Sequence, residues 1–236
     1  MTELVIDRSG DRLGLTLNRP DQSNALSPAL VEAMLAALAD ADGVRFCTIR
    51  GEGRNFCAGF DLSDLSDLSD GDLLWRFVRI ELMLQAVHHA PFPIVAFAHR
   101  HVVGAGADLF AACTNRVAAG DARFRMPGWN FELALGTLRL ARRVGTDRAR
   151  DMLIDARTVE AEEALAIGLA GELAEADQWP AIEQRLAERA TSMPPYATAE
   201  MLALTGDDTR ALDLAAVAAT AGRPGLKQRI EAFRAG

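Results

Sequence analysis

The chain has 236 residues and a formal net charge of −8; half of its residues are hydrophobic and a quarter are charged. That length suits one substantial domain with a normal core, and the acidic balance argues against a nucleic-acid partner. The first residues include Glu3 and Asp7 instead of the basic-then-apolar order of a signal peptide, and the longest apolar run, Val102 to Cys113, is too short to span a bilayer.

Taken in chain order, Leu4–Ile6 and Leu13–Leu17 flank Ser9-Gly10-Asp11 and read as a β-hairpin. Ser27-Pro28 opens a helix, with serine as N-cap and proline at the first helical position. Phe46–Ile49 is a compact strand. Leu73, Phe77, Ile80, Leu84 and Val87 recur at spacings of four and three, the stripe of an amphipathic helix. Pro91-Phe92-Pro93 ends it, and Ile94–Ala98 is a buried strand leading to an apolar helix at Gly106–Cys113. Arg116–Ala119 and Phe124–Met126 are two further short strands. From Thr137 the signals are mostly helical, and Pro194-Pro195 marks a break. The expected organisation is therefore α/β, with a core over residues 1–194 and a helical C-terminal region over 195–236.

Several local features invite chemistry and are weaker than they look. Leu-Ser-Asp repeats three times over residues 62–70 and reads as a mobile acidic loop or frayed helix, because its spacing fits no calcium loop. His99 and His101 would share one side of an extended strand, but no third metal ligand stands at a recognisable spacing; no metal is expected. Arg139, Arg142, Arg143, Arg148 and Arg150 read foremost as a solvated helix face, and second as a phosphate-binding or intersubunit patch. Cys47, Cys57 and Cys113 sit apart in apolar contexts, as buried free thiols of a reducing cytoplasm would.

Two glycine turns carry the strongest signal. Asn55-Phe56-Cys57-Ala58-Gly59-Phe60-Asp61-Leu62 follows one strand, and Gly104-Ala105-Gly106-Ala107-Asp108-Leu109 follows another and opens a helix. Small residues let the main chain turn sharply and a ligand approach it, and free N–H groups are available in such turns and at helix N-termini. Two such donors aimed at one carbonyl oxygen form an oxyanion hole. A dinucleotide fingerprint fails at the second turn, where the third glycine would have to be Leu109.

Together and in this order, the two turns resemble the crotonase (enoyl-CoA hydratase/isomerase) superfamily. Leu15-Thr16-Leu17-Asn18-Arg19-Pro20 with Asn24-Ala25-Leu26, Arg50-Gly51-Glu52-Gly53, Gly136-Thr137 with Arg139-Leu140, and Ala161-Glu162-Glu163-Ala164-Leu165 with Gly168-Leu169 extend the resemblance along nearly the whole chain. It implies a spiral of ββα units with a helical C-terminal trimerisation region, assembled as a homotrimer or a dimer of trimers. It also implies an acyl-CoA thioester substrate whose enolate is stabilised by the N–H groups of Phe60 and Ala105. Coenzyme A would enter as part of the substrate, with no separate cofactor. Ser23, Ala25, Ala58, Gly59, Asp61, Leu62, Gly104 and Gly128 fall at its coenzyme A- and substrate-binding positions.

The sequence departs from that pattern at the acid/base groups. Hydratases of this family typically use two glutamates, since hydration needs one group to activate water and one to exchange a proton at the α-carbon. Here the first position is Asp108, one methylene shorter, and the second is Gly128; the stretch from Gly128 to Gly136 is also short. Asp108 and Glu132 are the candidate carboxyls, Glu132 from a rearranged loop. Asp21 stands where many relatives place a basic residue for the coenzyme A phosphates. The expected activity is enoyl-CoA hydration or double-bond isomerisation. Thioester hydrolysis, C–C bond cleavage, and a binding protein that keeps the hole without the chemistry are the alternatives.

Overall fold

The computed structural model describes residues 2–235. Strands β1 (Leu4–Ser9) and β2 (Arg12–Leu17) form the hairpin, and helix α1 (Pro28–Ala39) starts where the Ser-Pro signal puts it, with Ser27 Oγ accepting from Leu30 N at 3.0 Å. Strand β3 (Phe46–Gly51), helix α2 (Asp70–His88), strands β4 (Ile94–Ala98) and β5 (His101–Val103), helix α3 (Ala105–Ala112), and strands β6 (Asn115–Ala118) and β7 (Arg123–Arg125) follow. The remainder is α4 (Thr137–Val144), α5 (Thr146–Asp155), β8 (Val159–Glu160), α6 (Ala161–Ala166), β9 (Glu172–Leu173), α7 (Trp179–Thr191), α8 (Pro195–Thr205), α9 (Arg210–Ala221) and α10 (Leu226–Ala235).

Two sheets organise the chain. The larger has the order β1-β2-β3-β4-β6-β9, parallel apart from the β1–β2 hairpin; the smaller has the order β5-β7-β8. After the β1–β2 hairpin, the successive pairs β4–β5 and β6–β7 each send their first strand to the large sheet and their second to the small one, with helices crossing back between turns. This is the expected ββα architecture. Parallel strands covered on both faces read as unbroken apolar runs, and all of β4 is buried. One face of the large sheet packs against α1, α2 and α3. The other packs Phe46, Val95, Phe97 and Val117 against Trp179, Ile182 and Leu186 of α7.

Three local expectations need correction. The chain from His99 to His101 is not one extended strand: Arg100 has φ 48, so His99 lies in a turn bonded to Gly53 O (3.0 Å), and His101 begins β5 on the exposed edge. The two histidines therefore share no strand face. The Leu-Ser-Asp repeat is fastened down. Asp64 makes a bidentate pair with Arg76 (2.8 and 2.5 Å), Ser69 and Asp72 form a capping box on α2, and Asp70 accepts from Gly225 N (2.7 Å) and Lys227 N (2.8 Å) at the start of α10. Finally, the arginines after residue 138 are not one solvated face. Arg139 is buried, Arg143 donates to Ala111 O and Cys113 O, and Arg142, Arg148 and Arg150 remain exposed.

Residues 195–235 fold back on the core. Helix α9 packs along α2, and α10 packs on α2 and on the 3-10 turn Gly128–Phe131, where the tilted rings of Phe131 and Phe233 meet at 5.5 Å. No described helix is long and apolar enough to cross a membrane.

Candidate active site

The first glycine turn is built by pairing with its neighbours on both sides. Phe56 N and Cys57 N donate to His99 O and His101 O (3.1 and 3.2 Å), and Val103 N donates back to Cys57 O (2.9 Å). On the other side Leu26 N donates to Gly59 O (2.7 Å) and Ala58 N to Ser23 O (2.9 Å). The fully buried Asn24 ties this junction together: its side chain accepts from Arg19 N and donates to Glu52 O and Asn55 O. Gly59, at φ +88, then touches the second turn so closely that a Cβ there would stand 2.5 Å from Val103 O and 3.2 Å from Ala105 N. Only glycine accommodates both that φ and that contact.

The two turns consequently meet at Gly59–Phe60 and Gly104–Ala105. Gly104 N is used, donating to Arg125 O at 2.8 Å. The N–H groups of Phe60 and of Ala105, the first residue of α3, have no acceptor among the described residues. Such donors at a helix start are natural partners for a carbonyl oxygen that is gaining charge.

In front of these amides lies a cavity of about 150 Å³ lined by Ala58, Phe60, Leu62, Phe77, Val103, Gly104, Ala105, Asp108, Met126, Pro127, Gly128, Phe131, Leu133, Leu135, Leu153, Ile230 and Phe233. The Phe60 ring stacks on Phe77 at 4.3 Å and forms one wall. Asp108 is the only titratable side chain in the lining. It is the fourth residue of α3, and side chains on a helix lean toward its N-terminus, which carries the carboxyl toward Ala105. Its fractional exposure is 5% and it accepts no hydrogen bond among the described residues. Burial pushes the Asp108 carboxyl well above the ordinary carboxylate value; Arg139 pulls it back, while Glu81 and Asp213 push it further up. A carboxyl raised above its ordinary range suits proton-transfer chemistry, which needs one group able both to take and to give a proton.

The other candidates fall into three places. Ala58, Leu62, Gly104 and Gly128 line the cavity with Phe60, Ala105 and Asp108, while Ser23, Ala25 and Gly59 form the turns behind it. Asp61 is held by Arg19 at 2.8 Å. Burial raises its carboxyl, but hydrogen bonds from Ser63 and Arg19 outweigh that and hold it below the usual range, as for a fixed structural anion. Glu132 does not join the site. It caps the 3-10 turn at φ 60, its side chain is 55% exposed, and it faces Arg223 and Arg229 at 3.7 and 3.8 Å. The short 128–136 segment explains this: Leu133 N closes onto Gly128 O (2.9 Å), leaving residue 132 on the outside of the bend. The same closure puts Leu133 O 3.0 Å from where a Cβ on Gly128 would be, so a second acid has little room there. Cys57, beneath the first turn, is no nucleophile: burial pushes its thiol up to about 12.

Sequence reasoning missed what stands behind Asp108. Arg139 Nη1 donates to Glu81 Oε1 (3.0 Å) and to Asp213 Oδ2 (2.9 Å), and Nη2 to Glu81 Oε2 (2.5 Å), all in the interior. Gly136, three residues before Arg139, presses on the catalytic candidate directly: a Cβ there would overlap Asp108 Oδ1. A signal existed, since Glu81 and Gln85 continue the spacing of four from Phe77 along the buried side of α2.

The family model for enoyl-CoA hydratase/isomerase matches residues 13–221. A Mycobacterium bovis protein named as a probable enoyl-CoA hydratase is 39% identical over 183 residues, covering 74% of this chain and 73% of its own length. The 2,3-dehydroadipyl-CoA hydratase of Escherichia coli is 32% identical over 205 residues, covering 84% and 79%. Among solved structures, one from Bordetella parapertussis carrying the name enoyl-CoA hydratase/isomerase superposes with a TM-score of 0.99 at 43% identity over the whole of both chains. The chain belongs to the enoyl-CoA hydratase/isomerase family.

Proposed function

We propose that this protein adds water across the double bond of an enoyl-CoA thioester, with Asp108 as its acid/base group. The observation that carries the reading is the meeting of the unbonded Phe60 and Ala105 amides over a cavity whose one titratable lining group is Asp108. In this reading Asp108 takes a proton from water and the hydroxide oxygen bonds to C3. The C2–C3 π electrons move toward the thioester, whose oxygen becomes an enolate between the two N–H groups. Asp108 then returns the proton to C2, so that one carboxyl serves both steps. Coenzyme A lies along the main chain of Ser23–Ala25 and Ala58–Leu62 as part of the substrate. A homotrimer or dimer of trimers, joined through the helical 195–235 region, belongs to the same reading. The lining offers no cation to meet a distal carboxylate, which favours a plain hydrocarbon acyl chain of modest length.

Double-bond isomerisation is the second reading, and the single carboxyl favours it, because moving a proton between two carbons needs one shuttle. The test is incubation with 2-enoyl-, 3-enoyl- and saturated acyl-CoA, followed by mass spectrometry and chromatography. Gain of one water on the 2-enoyl substrate is expected. Conversion of 3-enoyl to 2-enoyl without mass change would establish isomerisation instead; loss of the thioester or no reaction with any substrate would overturn both.

A further inference from the structure

Resting on the reading of Asp108 as the proton carrier, we propose that Glu81 and Asp213 are positioning residues for the reaction: by occupying Arg139 they keep its guanidinium from pairing with Asp108. Arg139 has two carboxylate partners where one would neutralise it, and its Nη1 is shared between them. Both partners are fixed from behind. Gln85 Nε2 donates to Glu81 Oε1 (2.9 Å) and Thr209 Oγ1 to Asp213 Oδ2 (2.6 Å). The remaining guanidinium nitrogen, Nε, is buried without a partner, and Asp108 receives no hydrogen bond from Arg139, although Gly136 at the start of the same helix touches its carboxyl. Exposures are 2% for Arg139, 0% for Glu81, 4% for Asp213 and 5% for Asp108, so these charges interact with little solvent screening.

The groups around Asp108 leave this triad as its electrostatic environment. Helix α2 contributes Glu81, α4 contributes Arg139 and α9 contributes Asp213. Glu132, from the 128–136 segment, faces outward to Arg223 and Arg229, while His88 and Arg143 bond carbonyls at the far end of α3. With two anions on one cation, the triad carries a surplus negative charge. Burial does most to keep the proton on Asp108, and Glu81 and Asp213 add to it against the pull of Arg139. Were Asp108 paired with Arg139, it would be a fixed anion and a poor proton carrier.

The test is the pH profile of kcat/KM for wild type, Asp213→Asn and Glu81→Gln, with Thr209→Val as a control that removes a hydrogen bond without changing charge. The two neutralised variants should shift the limb assigned to Asp108 downward by about 1 pH unit, and Thr209→Val should leave it in place. The same proton is read without turnover from the pH dependence of thermal stability, whose transition should move down equally. An unmoved limb and an unmoved stability transition in both variants would reduce the triad to a structural element. Should Asp108→Asn keep full activity, the failure lies with Asp108 as proton carrier; the stability transition still decides whether the triad controls its proton.

Discussion

Replacing Gly136 by alanine should cut kcat/KM by about 100-fold or more, because the new methyl group overlaps the Asp108 carboxyl and one of the two must move. A displacement of order 1 Å in a reacting group costs about that much. The substitution also strains the backbone, since Gly136 has φ 62, where an L-residue costs about 1–2 kcal/mol. Gly10 separates the two effects. It too has φ 62, but a Cβ there meets nothing within 4 Å. Gly10→Ala therefore reads the backbone cost alone: Gly136→Ala should lose more thermal stability than Gly10→Ala, and only Gly136→Ala should lose activity. Parallel activity losses in the two would show that general destabilisation, not Asp108, is responsible.

Asp108→Asn carries the other large effect, and it has two opposite faces. Activity should fall by about 100- to 10,000-fold, the range for removing a general acid/base, while stability at neutral pH should rise. The sign follows from the raised folded-state carboxyl. Below the unfolded-chain value near 3.8, both states of the wild type hold the proton and the contribution of the group is fully present. Above it, the unfolded chain releases the proton while the folded chain keeps it. Folding is then penalised by about 1.4 kcal/mol for each pH unit until the folded group also ionises. Asparagine has no such penalty. Melting curves from pH 4 to pH 8 should show the variant gaining on wild type as pH rises; a constant gap would mean that Asp108 is not a raised carboxyl.

Much of this was legible in the sequence where a local rule fixes a local structure. Ser27-Pro28 gave a helix start, Ser9-Gly10-Asp11 a hairpin, and the spacing from Leu73 to Val87 the long helix that walls the cavity. The glycine turns were readable as close approaches because Gly59 has no alternative at its φ and contact distance. Strand β5 was not readable: it has three residues, and its start depends on Arg100 taking a left-handed conformation that an arginine does not advertise. The Arg139 triad joins positions 58 and 74 residues apart, so the spacing along α2 marks Glu81 as buried without marking its partners. Where Glu132 points was not readable either, because its direction is set by the closure of a shortened loop, not by its distance in sequence from Gly128. The acidic repeat misled by composition: Asp64 and Asp70 are spent on Arg76 and on the start of α10.

The most direct measurement is a crystal structure of the protein with an unreactive acyl-CoA bound. It should place the thioester oxygen about 2.7–3.1 Å from both Phe60 N and Ala105 N, with the Asp108 carboxyl facing the carbons next to the thioester. A thioester oxygen that meets neither amide, or an acyl chain seated outside the cavity walled by Phe77 and Phe233, would contradict it.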